Sequence, residues 1–451
     1  MKQITSYKDK HVLVIGMAKS GAACAKLLMQ LGAVVTINDA KERDENPQAD
    51  ELEALGAIVV CGAHPLELLE GVDAVIKNPG IPYHNALVAE AVSRGISVVT
   101  EIELASLVSE ADLLAITGSN GKTTTTTLVH EMLQGSERTP LIAGNIGTVA
   151  CEVAAQATED DVIVLEVSSF QLLGTERFQP KVAVWLNVFD AHLDYHGDKE
   201  SYIAAKSRIC ANMSEDDYLV YNADDEHVTQ AIFACKAKRV PFSVKSVCKN
   251  GAYIENNQLR FAEEAILPLE EVVLPGFHNL ENVLAAVATA KLAGAKNKQI
   301  CHVLKTFPGV KHRLQFVKRW EGRLFYNDSK ATNMLATEAA LSSFEKPVVL
   351  LAGGLDRGNE FDELIPYLKH VKALVTFGET KKKLARVAKE AGVNVIQYAE
   401  RVEDAVTVAV EESEEGDVLL LSPACASWDQ YRTFEERGDA FISAIEQLTD
   451  N

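Results

Sequence analysis

Short apolar runs recur along the whole chain, and most end in a glycine or polar residue before a stretch with helical spacing. Near the N-terminus, residues 11–16 and 34–39 are two such runs, separated by helical spacing over residues 22–31. Apolar runs that alternate with helical segments are typical of buried parallel strands. We therefore predict an α/β chain built on largely parallel sheets.

The alternating pattern divides into three predicted domains. Further strands near residues 73–80 and 95–99 complete a Rossmann-like domain over residues 1–100. A central phosphate-loop ATPase domain follows over residues 101–310, and a second Rossmann-like domain covers residues 311–451. The strands predicted in this third domain are 323–327, 348–352, 373–377, 393–397 and 418–422.

The stretch around Lys122 carries the clearest chemistry. An apolar strand over residues 113–116 leads into Thr-Gly-Ser-Asn-Gly-Lys-Thr, residues 117–123, and then into helical spacing over 126–133. Glycines let main-chain N–H groups converge on phosphate oxygens, and the helix N-terminus adds partial positive charge. Lys122 suits the outer phosphates and the Thr123 hydroxyl suits a magnesium ion. The stretch predicts a nucleoside triphosphate site.

Two features of this loop depart from the general pattern. Ile116 stands where G-x-x-x-x-G-K-[ST] has its first glycine. Five successive threonines also follow the lysine, and threonine is a weak helix former. A plain strand–turn–helix without a ligand is the alternative interpretation, and the threonine run favours selected hydroxyl groups over it.

A second glycine turn, residues 16–21, follows the first strand. The middle glycine of G-x-G-x-x-G is Ala18 here, so a pyrophosphate could not approach the main chain as closely. Asp39, at the end of the second strand, is placed to accept ribose hydroxyls. The alternative for so short a motif is a structural turn without a ligand.

Later strands of the central domain also end in polar residues. Glu166 ends the apolar run 161–165, and Asp190, His192 and Asp194 follow the run 182–188. The carboxyl edge of an α/β sheet is where ligands bind, so these residues are candidate magnesium ligands. Taken alone, a residue such as His192 is more often a hydrogen-bonded loop histidine, but the presence of Lys122 and Glu166 in the same domain favours the metal ligand.

Two further candidates lie on predicted helices. Lys206 belongs to an amphipathic stretch over residues 202–209 and would ordinarily be a surface lysine. Asn279 sits in the first turn of an apolar helix over residues 275–294, where its amide could cap the helix or contact a base.

Three unusually polar turns follow strands of the third domain, at residues 327–333, 353–358 and 422–430. All three lie at carboxyl ends of strands, so they can converge on one ligand. The apolar residues 423–426 inside the last turn do not suit a solvated loop.

Composition narrows the function classes. The chain has 44 basic and 64 acidic residues, a formal charge of −20, which argues against a nucleic acid partner, and we expect none. No apolar run approaches ~18 residues, and we expect neither a leader peptide nor a membrane partner. The eight cysteines form no C-x-x-C pair and are expected to be mostly small buried side chains. We expect a cytoplasmic monomer.

These motifs resemble those of the Mur ligases, ATP-dependent amide-forming enzymes of peptidoglycan precursor synthesis. The resemblance spans all 451 residues and accounts for the missing glycine at Ile116. The turns 327–333 and 422–430, with residues 434–438, resemble the member that adds D-glutamate to UDP-N-acetylmuramoyl-L-alanine. The Asp-Asn-Pro-Arg motif of the diaminopimelate-adding member is absent.

The resemblance implies a role for each matching residue. The catalytic residues are Lys122, Glu166, His192 and Lys206, the last of them carbamylated. The metal ligands, for Mg²⁺, are Thr123, Glu166, His192 and Lys206. The ATP site comprises Gly118, Ser119, Asn120, Gly121, Lys122, Thr123, Thr124, Asn279, Arg313 and Asp328. The UDP-substrate site comprises Gly16, Ala18, Lys19, Ser20, Gly21, Asp39, Ala40, Lys41, Asn78, Pro79, Gly80, Asn145 and His192. The D-glutamate site comprises Lys330, Thr332, Arg357, Ser427 and Phe434.

The implied chemistry is acyl activation. A substrate carboxylate attacks the γ-phosphate of ATP, and an amine then displaces phosphate. His192 is a possible general base only if it is not committed to metal, and nearby carboxylates are alternatives. A nicotinamide-dependent oxidoreductase would leave residues 121–123 unexplained. A regulatory nucleotide switch would need no third ligand-binding domain.

Overall fold

The computed structural model describes residues 1–189, 193–274 and 276–449, and for residues 193, 194, 277 and 278 the main chain alone. The chain forms two compact units. The first contains Met1–Glu270 and Glu281–Val303, and the second contains Glu271–Leu280 and the residues from Leu304 onward. Two sheets lie in the first unit and one in the second.

The first sheet has five parallel strands in the order β3-β2-β1-β4-β5. Its strands are β1 (His11–Ile15), β2 (Val34–Asp39), β3 (Ile58–Cys61), β4 (Ala74–Lys77) and β5 (Ser97–Val99). Its helices are α1 (Lys19–Gln30), α2 (Ala49–Ala54) and α3 (Ala86–Ser93). The strand order reverses direction at β1, between β2 and β4, and ligands of open α/β sheets bind at such a point.

The second sheet has nine strands in the order β14-β13-β12-β11-β10-β9-β6-β8-β7. Its strands are β6 (Asp112–Thr117), β7 (Thr139–Gly144), β8 (Asp161–Glu166), β9 (Val182–Trp185), β10 (Tyr218–Asn222), β11 (Lys238–Ser243), β12 (Ala252–Glu255), β13 (Gln258–Phe261) and β14 (Glu264–Pro268). The pairs β12–β13 and β13–β14 are antiparallel and the other pairs are parallel.

Nine helices in the described part of the chain accompany this sheet along the sequence. They are α4 (Glu101–Val108), α5 (Lys122–Leu133), α6 (Ala150–Gln156), α7 (Ser169–Leu173), α8 (Leu193–His196), α9 (Lys199–Ser207), α10 (Glu226–Ala231), α11 (Phe277–Leu292) and α12 (Asn297–Thr306). Helices α1 and α6 pack together, with the Sγ atoms of Cys24 and Cys151 4.0 Å apart. The first and second sheets therefore share one apolar core.

The third sheet has six strands in the order β15-β16-β20-β17-β18-β19. Its strands are β15 (Gln315–Trp320), β16 (Arg323–Asn327), β17 (Val348–Gly353), β18 (Val371–Phe377), β19 (Val395–Tyr398) and β20 (Val418–Leu421). Its helices are α13 (Met334–Leu341), α14 (Lys381–Glu390), α15 (Val402–Glu411) and α16 (Phe434–Thr449). Apolar clusters cover both faces, as a parallel sheet requires.

The predicted α/β class with three largely parallel sheets is confirmed, and three details differ. Helix α5 begins at Lys122 and includes all five threonines, because Thr124, Thr125 and Thr126 are buried and packing outweighs their weak propensity. Eight strands in the described part of the chain were not predicted: β3, β7, β10, β11, β12, β13, β14 and the antiparallel edge strand β15. Of these, β3 and β15 are only partly buried. Four of the eight cysteines are buried and four are half-buried, so the expectation of mostly buried cysteines was wrong.

None of the helices within the described residues is long and apolar enough to cross a membrane. The boundaries predicted at residues 100 and 310 stay a prediction.

Candidate active site

The turn after β1 brings together most of the residues predicted for the UDP substrate. The Asp39 carboxylate accepts hydrogen bonds from the main-chain N–H groups of Met17 (2.7 Å) and Lys41 (3.0 Å). Asn78 Nδ2 donates to Ser20 Oγ at 3.0 Å, which ties the turn after β4 to the start of α1. The exposed residues Ala18, Lys19, Ala40 and Lys41 surround this edge. Gly16, Pro79 and Gly80 lie in the turns themselves, and Gly21 lies in the first turn of α1.

Lys77, at the end of β4, is a buried lysine next to the candidate residue Asn78, and it was not singled out from the sequence. Its side chain is 1% exposed, and its Nζ donates to Ile81 O at 2.9 Å and lies 3.4 Å from Tyr195 Oη. Burial lowers the Lys77 pKa to about 8. Tyr195 Oη also donates to Ile81 O at 3.2 Å, so Lys77 and Tyr195 hold the turn after β4 against α8. A lysine ending an otherwise apolar strand was the available signal.

The phosphate loop, residues 117–123, joins β6 to α5. Gly121 directly precedes α5 and has φ +82°, and a Cβ there would clash with Asn282 Oδ1, so this position requires glycine. Lys122 Nζ donates to the carbonyls of Gly118 (2.9 Å) and Ser119 (3.1 Å). The predicted strand, glycine turn and helix are therefore present.

Two side chains outside the loop fix its shape. Asn187 Oδ1 accepts from the N–H of Asn120 at 2.9 Å, and its Nδ2 donates to Asn120 O at 3.3 Å. The Ser119 and Tyr202 hydroxyls lie 3.0 Å apart. The roles of Asn187 and Tyr202 were not predicted from the sequence, because neither residue stands at a recognisable spacing from the loop.

Glu166 ends β8 with one oxygen paired and one unpaired. Its side chain is 1% exposed, and Oε1 accepts from Asn145 Nδ2 at 2.8 Å. Oε2 is buried and finds no hydrogen-bond partner among the described residues. An unsatisfied buried carboxylate oxygen is costly unless a ligand completes it. A bound cation would satisfy the Glu166 Oε2 atom.

Lys206, on α9, is buried and lies against the phosphate loop. Its side chain is 1% exposed, and Nζ donates to Gly118 O at 2.8 Å, the carbonyl that Lys122 also contacts. Burial, and to a smaller degree the charge of Lys122, holds the Lys206 pKa well below its ordinary value. The structure brings Lys122 and Lys206 together at Gly118.

Other predicted metal ligands are placed less fully. Thr123 lies half-buried in the first turn of α5, next to the buried Thr124. His192, like Asp190, lies outside the described residues. Within the described residues, no three His, Cys, Asp or Glu side chains are grouped so as to hold a metal ion.

In the second unit, the residues predicted for D-glutamate lie in the turns after β16, β17 and β20. Lys330 Nζ is 5.4 Å from the centre of the Phe434 ring, and the Arg357 guanidinium is 4.9 Å from that of Trp428. Both cations are exposed, and Thr332 is half-buried. Ser427 is 1% exposed, and its Oγ has no hydrogen-bond partner within the described residues. The turns supply two cations and one unsatisfied hydroxyl.

Three residues predicted for ATP also belong to the second unit. Asp328 is buried, with Oδ1 accepting from Leu314 N (3.1 Å) and Oδ2 from Ser422 Oγ (2.9 Å). Burial raises the Asp328 pKa to about 7. Arg313 is half-buried, with no partner for Nε within the described residues, and Asn279 is buried in the first turn of α11.

Fold and site together define an α/β enzyme that binds a nucleoside triphosphate and carries exposed cations in turns that follow strands of its last sheet. The chain belongs to the Mur ligase family. Three family profiles match it in succession. They are the "Mur ligase MurD-like, N-terminal domain" over residues 10–100, the "Mur ligase middle domain" over 116–290 and the "Mur ligase, glutamate ligase domain" over 312–425.

Full-length relatives give the same family. The chain is 64% identical to the UDP-N-acetylmuramoylalanine–D-glutamate ligase of Shouchella clausii, over 99% of each chain. It is 62% identical to the protein of that name from Halalkalibacterium halodurans, over 100% of each chain.

Solved structures share the fold at lower identity. The UDP-N-acetylmuramate–alanine ligase of Thermotoga maritima matches with a TM-score of 0.57 and 19% identity, over 97% of this chain and 99% of that one. The MurF ligase of the same organism, in complex with ADP, matches with a TM-score of 0.58 and 16% identity, over 92% and 96%.

Proposed function

We propose that this chain is an ATP-dependent ligase that joins D-glutamate to UDP-N-acetylmuramoyl-L-alanine and releases ADP and phosphate in peptidoglycan precursor synthesis. The observation that carries the proposal is full-length identity of 64% to a ligase of that name. The phosphate loop and the cationic edge of the third sheet supply the two chemical functions that such a reaction needs.

The first step joins two anions. The carboxylate of the UDP-linked substrate attacks the γ-phosphorus of ATP, the bond to the β,γ-bridging oxygen breaks, and ADP leaves. Lys122 and the N–H groups of the 117–123 loop reduce the repulsion between the two anions. Lys122 already lies on the loop carbonyls of Gly118 and Ser119, within reach of a bound phosphate chain.

Magnesium fits the residues around Gly118. Glu166 Oε2 and the Thr123 hydroxyl would hold the ion, and His192 is proposed as a further ligand. Lys206 joins them if it is carbamylated, because addition of CO₂ to a neutral amine converts a cation into an anionic oxygen ligand. A bound magnesium ion would supply charge neutralisation between the reacting anions.

The second step is attack of the D-glutamate amine on the acyl phosphate carbon. The C–N bond forms, the C–O bond to phosphate breaks, and the amine loses its proton to a general base. We propose that Lys330 and Arg357 hold the two carboxylates, with Thr332, Ser427 and Phe434 completing the site. Arg357 can bind a carboxylate through two N–H groups, whereas Lys330 offers a point charge.

We infer that the turns of the first sheet hold the UDP moiety. The supporting contacts are those of Asp39 and Asn78, which fix the two turns on either side of β1. Asn145, with its amide on Glu166 Oε1, is proposed to contact the muramoyl part. We further propose that the enzyme works in the cytoplasm as a monomer, which light scattering on purified protein would test.

A phosphate-release assay with each substrate omitted in turn tests the function. We expect release of phosphate from ATP only when both UDP-N-acetylmuramoyl-L-alanine and D-glutamate are present. L-glutamate, D-alanine and L-lysine serve as matched amino-acid controls. Faster release with any of these than with D-glutamate would contradict the proposed substrate, and release with ATP alone would contradict the ligase assignment.

A further inference from the structure

We propose that Arg437 is a positioning residue of the amino-acid site, which holds three ligand-bearing turns in register and keeps a fixed positive charge beneath them. This inference rests on the proposed function. No residue role assigned above includes Arg437, and the side chain does not reach the exposed face of the site, since it is 0% exposed.

The Arg437 guanidinium, in the first turns of α16, donates hydrogen bonds to all three turns. Its Nε donates to Ser329 Oγ (3.0 Å) and its Nη2 to Ser329 O (2.9 Å), both after β16. Nη2 also donates to Cys425 O (3.0 Å), after β20. Nη1 donates to Gly353 O (3.3 Å), at the end of β17. One planar group therefore fixes the relative positions of three strand ends.

These turns are the ones that carry the proposed glutamate contacts. Lys330 follows Ser329 directly, Ser427 lies two residues after Cys425, and Arg357 lies four residues after Gly353. Ser329 Oγ in turn donates to Phe434 O at 2.7 Å, which ties the start of α16 to the same point. A displacement of Arg437 would therefore move every proposed glutamate contact relative to the others.

The turns are shaped to close around the guanidinium. Gly354 has φ +151°, and a Cβ there would lie 2.3 Å from Ala426 O and 3.1 Å from Arg437 Nη1. The turns after β17 and β20 can approach each other and the arginine this closely because glycine has no side chain.

The charge of Arg437 is not neutralised by an ion pair. Among the described residues no carboxylate lies within ion-pair distance of its guanidinium, and its partners are carbonyls and one hydroxyl. Burial lowers the Arg437 pKa to about 10, so the group stays positive at neutral pH. A buried positive charge without a counter-ion favours an anionic ligand nearby. A dicarboxylic amino acid fits this requirement better than a neutral one.

Two substitutions separate geometry from charge. Arg437→Lys keeps the charge but loses the planar fork, and Arg437→Met keeps much of the volume but loses both. We expect Arg437→Lys to raise the KM for D-glutamate about tenfold, as loss of several hydrogen bonds from one buried group does. The KM values for ATP and the UDP substrate should change less than about twofold. In Arg437→Met the kcat/KM preference for D-glutamate over D-glutamine should also fall, because the fixed charge is gone.

Arg386→Met, which removes an exposed arginine of α14 in the same unit, is the matched control and should leave all three KM values unchanged. Ser329→Ala removes the hydroxyl that accepts from Arg437 Nε and donates to Phe434 O. If the Arg437 variants do not fold, this variant tests the inference, and we expect it to raise the D-glutamate KM by a smaller factor. An unchanged D-glutamate KM in the folded variants, or an equal rise for all three substrates, would overturn the inference. Wild-type enzyme that releases no phosphate with D-glutamate would instead contradict the proposed function.

Discussion

Each unit of the molecule has a buried cation beside candidate ligand residues that differs in chemistry from the other: Lys206 in the first unit and Arg437 in the second. Both cations donate hydrogen bonds to uncharged oxygens. Lys206 donates to Gly118 O and Thr117 Oγ1. Arg437 donates to the carbonyls of Ser329, Gly353 and Cys425 and to the Ser329 hydroxyl. They differ in what burial does to the charge. The amine of Lys206 has a strongly lowered pKa and can lose its proton, whereas the guanidinium of Arg437 keeps its own.

This difference suits two kinds of ligand. In the proposed function, addition of CO₂ to the Lys206 amine would turn it into an anionic metal ligand, which would serve a step between two anions. A permanent positive charge beneath Lys330 and Arg357 serves recognition of a dianion. A buried lysine is therefore suited to chemistry at the phosphate loop, and a buried arginine to selection at the third sheet.

The largest effect is expected at the phosphate loop. Lys122→Ala should reduce kcat/KM on the order of 10²–10³-fold, because it removes a charge-stabilising donor from the transition state. Binding of the UDP substrate, measured by calorimetry, should survive, since most of its proposed residues lie around the first sheet. A parallel loss of UDP-substrate affinity would contradict the separation of the two sites.

Lys206→Ala tests whether Lys206 serves as a carbamylated metal ligand. Activity should fall by at least roughly 10–100-fold, the cost of weakening a metal site, and small carboxylic acids should partly restore it. Lys181→Ala, which removes a partly exposed lysine paired with Asp217, is the control and should remain active. Full turnover of Lys206→Ala at saturating magnesium would refute the role.

Arg357→Ala tests the proposed recognition of D-glutamate by the turns of the third sheet. The KM for D-glutamate should rise about tenfold through loss of a charge-assisted hydrogen-bonded pair, with the KM for ATP nearly unchanged. Arg401→Ala is a close match, because Arg401 lies 5.0 Å from the centre of the Tyr431 ring as Arg357 lies 4.9 Å from that of Trp428. If Arg401→Ala raises the KM equally, the effect is not specific to the proposed site.

Glu101 is a buried carboxylic acid, in contrast to the two buried cations, and we expect its substitution to change only the stability of the protein. It begins α4, accepts from Gln171 Nε2 at 3.0 Å, and has no partner for Oε2 among the described residues. Burial raises its pKa to about 7. The unfolded value is about 4.3, so the stabilising contribution is full below that pH and is lost as the pH rises through about 7.

Glu101→Gln should remove this pH dependence. Urea midpoints of wild type and variant should be similar at pH 5, and the variant should gain on the wild type by pH 8.5. The relative gain is on the order of 3 kcal/mol at most. A gap that narrows with rising pH would show that the carboxyl is ionised in the folded protein at low pH.

The sequence predicted the parts of the fold that depend on local pattern. The parallel strands β1, β2, β6, β8 and β16 are continuous apolar runs, and the loop 117–123 has a recognisable spacing. The strand β15 was missed because its residues are only partly buried and include charges at an antiparallel edge. Helix α5 begins earlier than threonine propensity suggests because its threonines pack in the core.

The residues of the candidate site also fall into those that a local sequence pattern predicts and those that it does not. Lys122, Glu166 and Asp328 could be predicted because each follows a strand that the apolar pattern identifies. The contacts of Lys77 with Tyr195 and of Arg437 with three turns could not, since they join residues more than ten positions apart in sequence. Burial of a charged side chain is set by packing that no local window shows.

Transfer of oxygen from substrate to phosphate tests the central claim, acyl activation by ATP, most directly. UDP-N-acetylmuramoyl-L-alanine labelled with ¹⁸O in its carboxylate is incubated with enzyme, ATP and D-glutamate, and the released phosphate is analysed by mass spectrometry. The account predicts one ¹⁸O atom in each phosphate, because the C–O bond to phosphate breaks when the amine attacks. Unlabelled phosphate released together with amide product would contradict it.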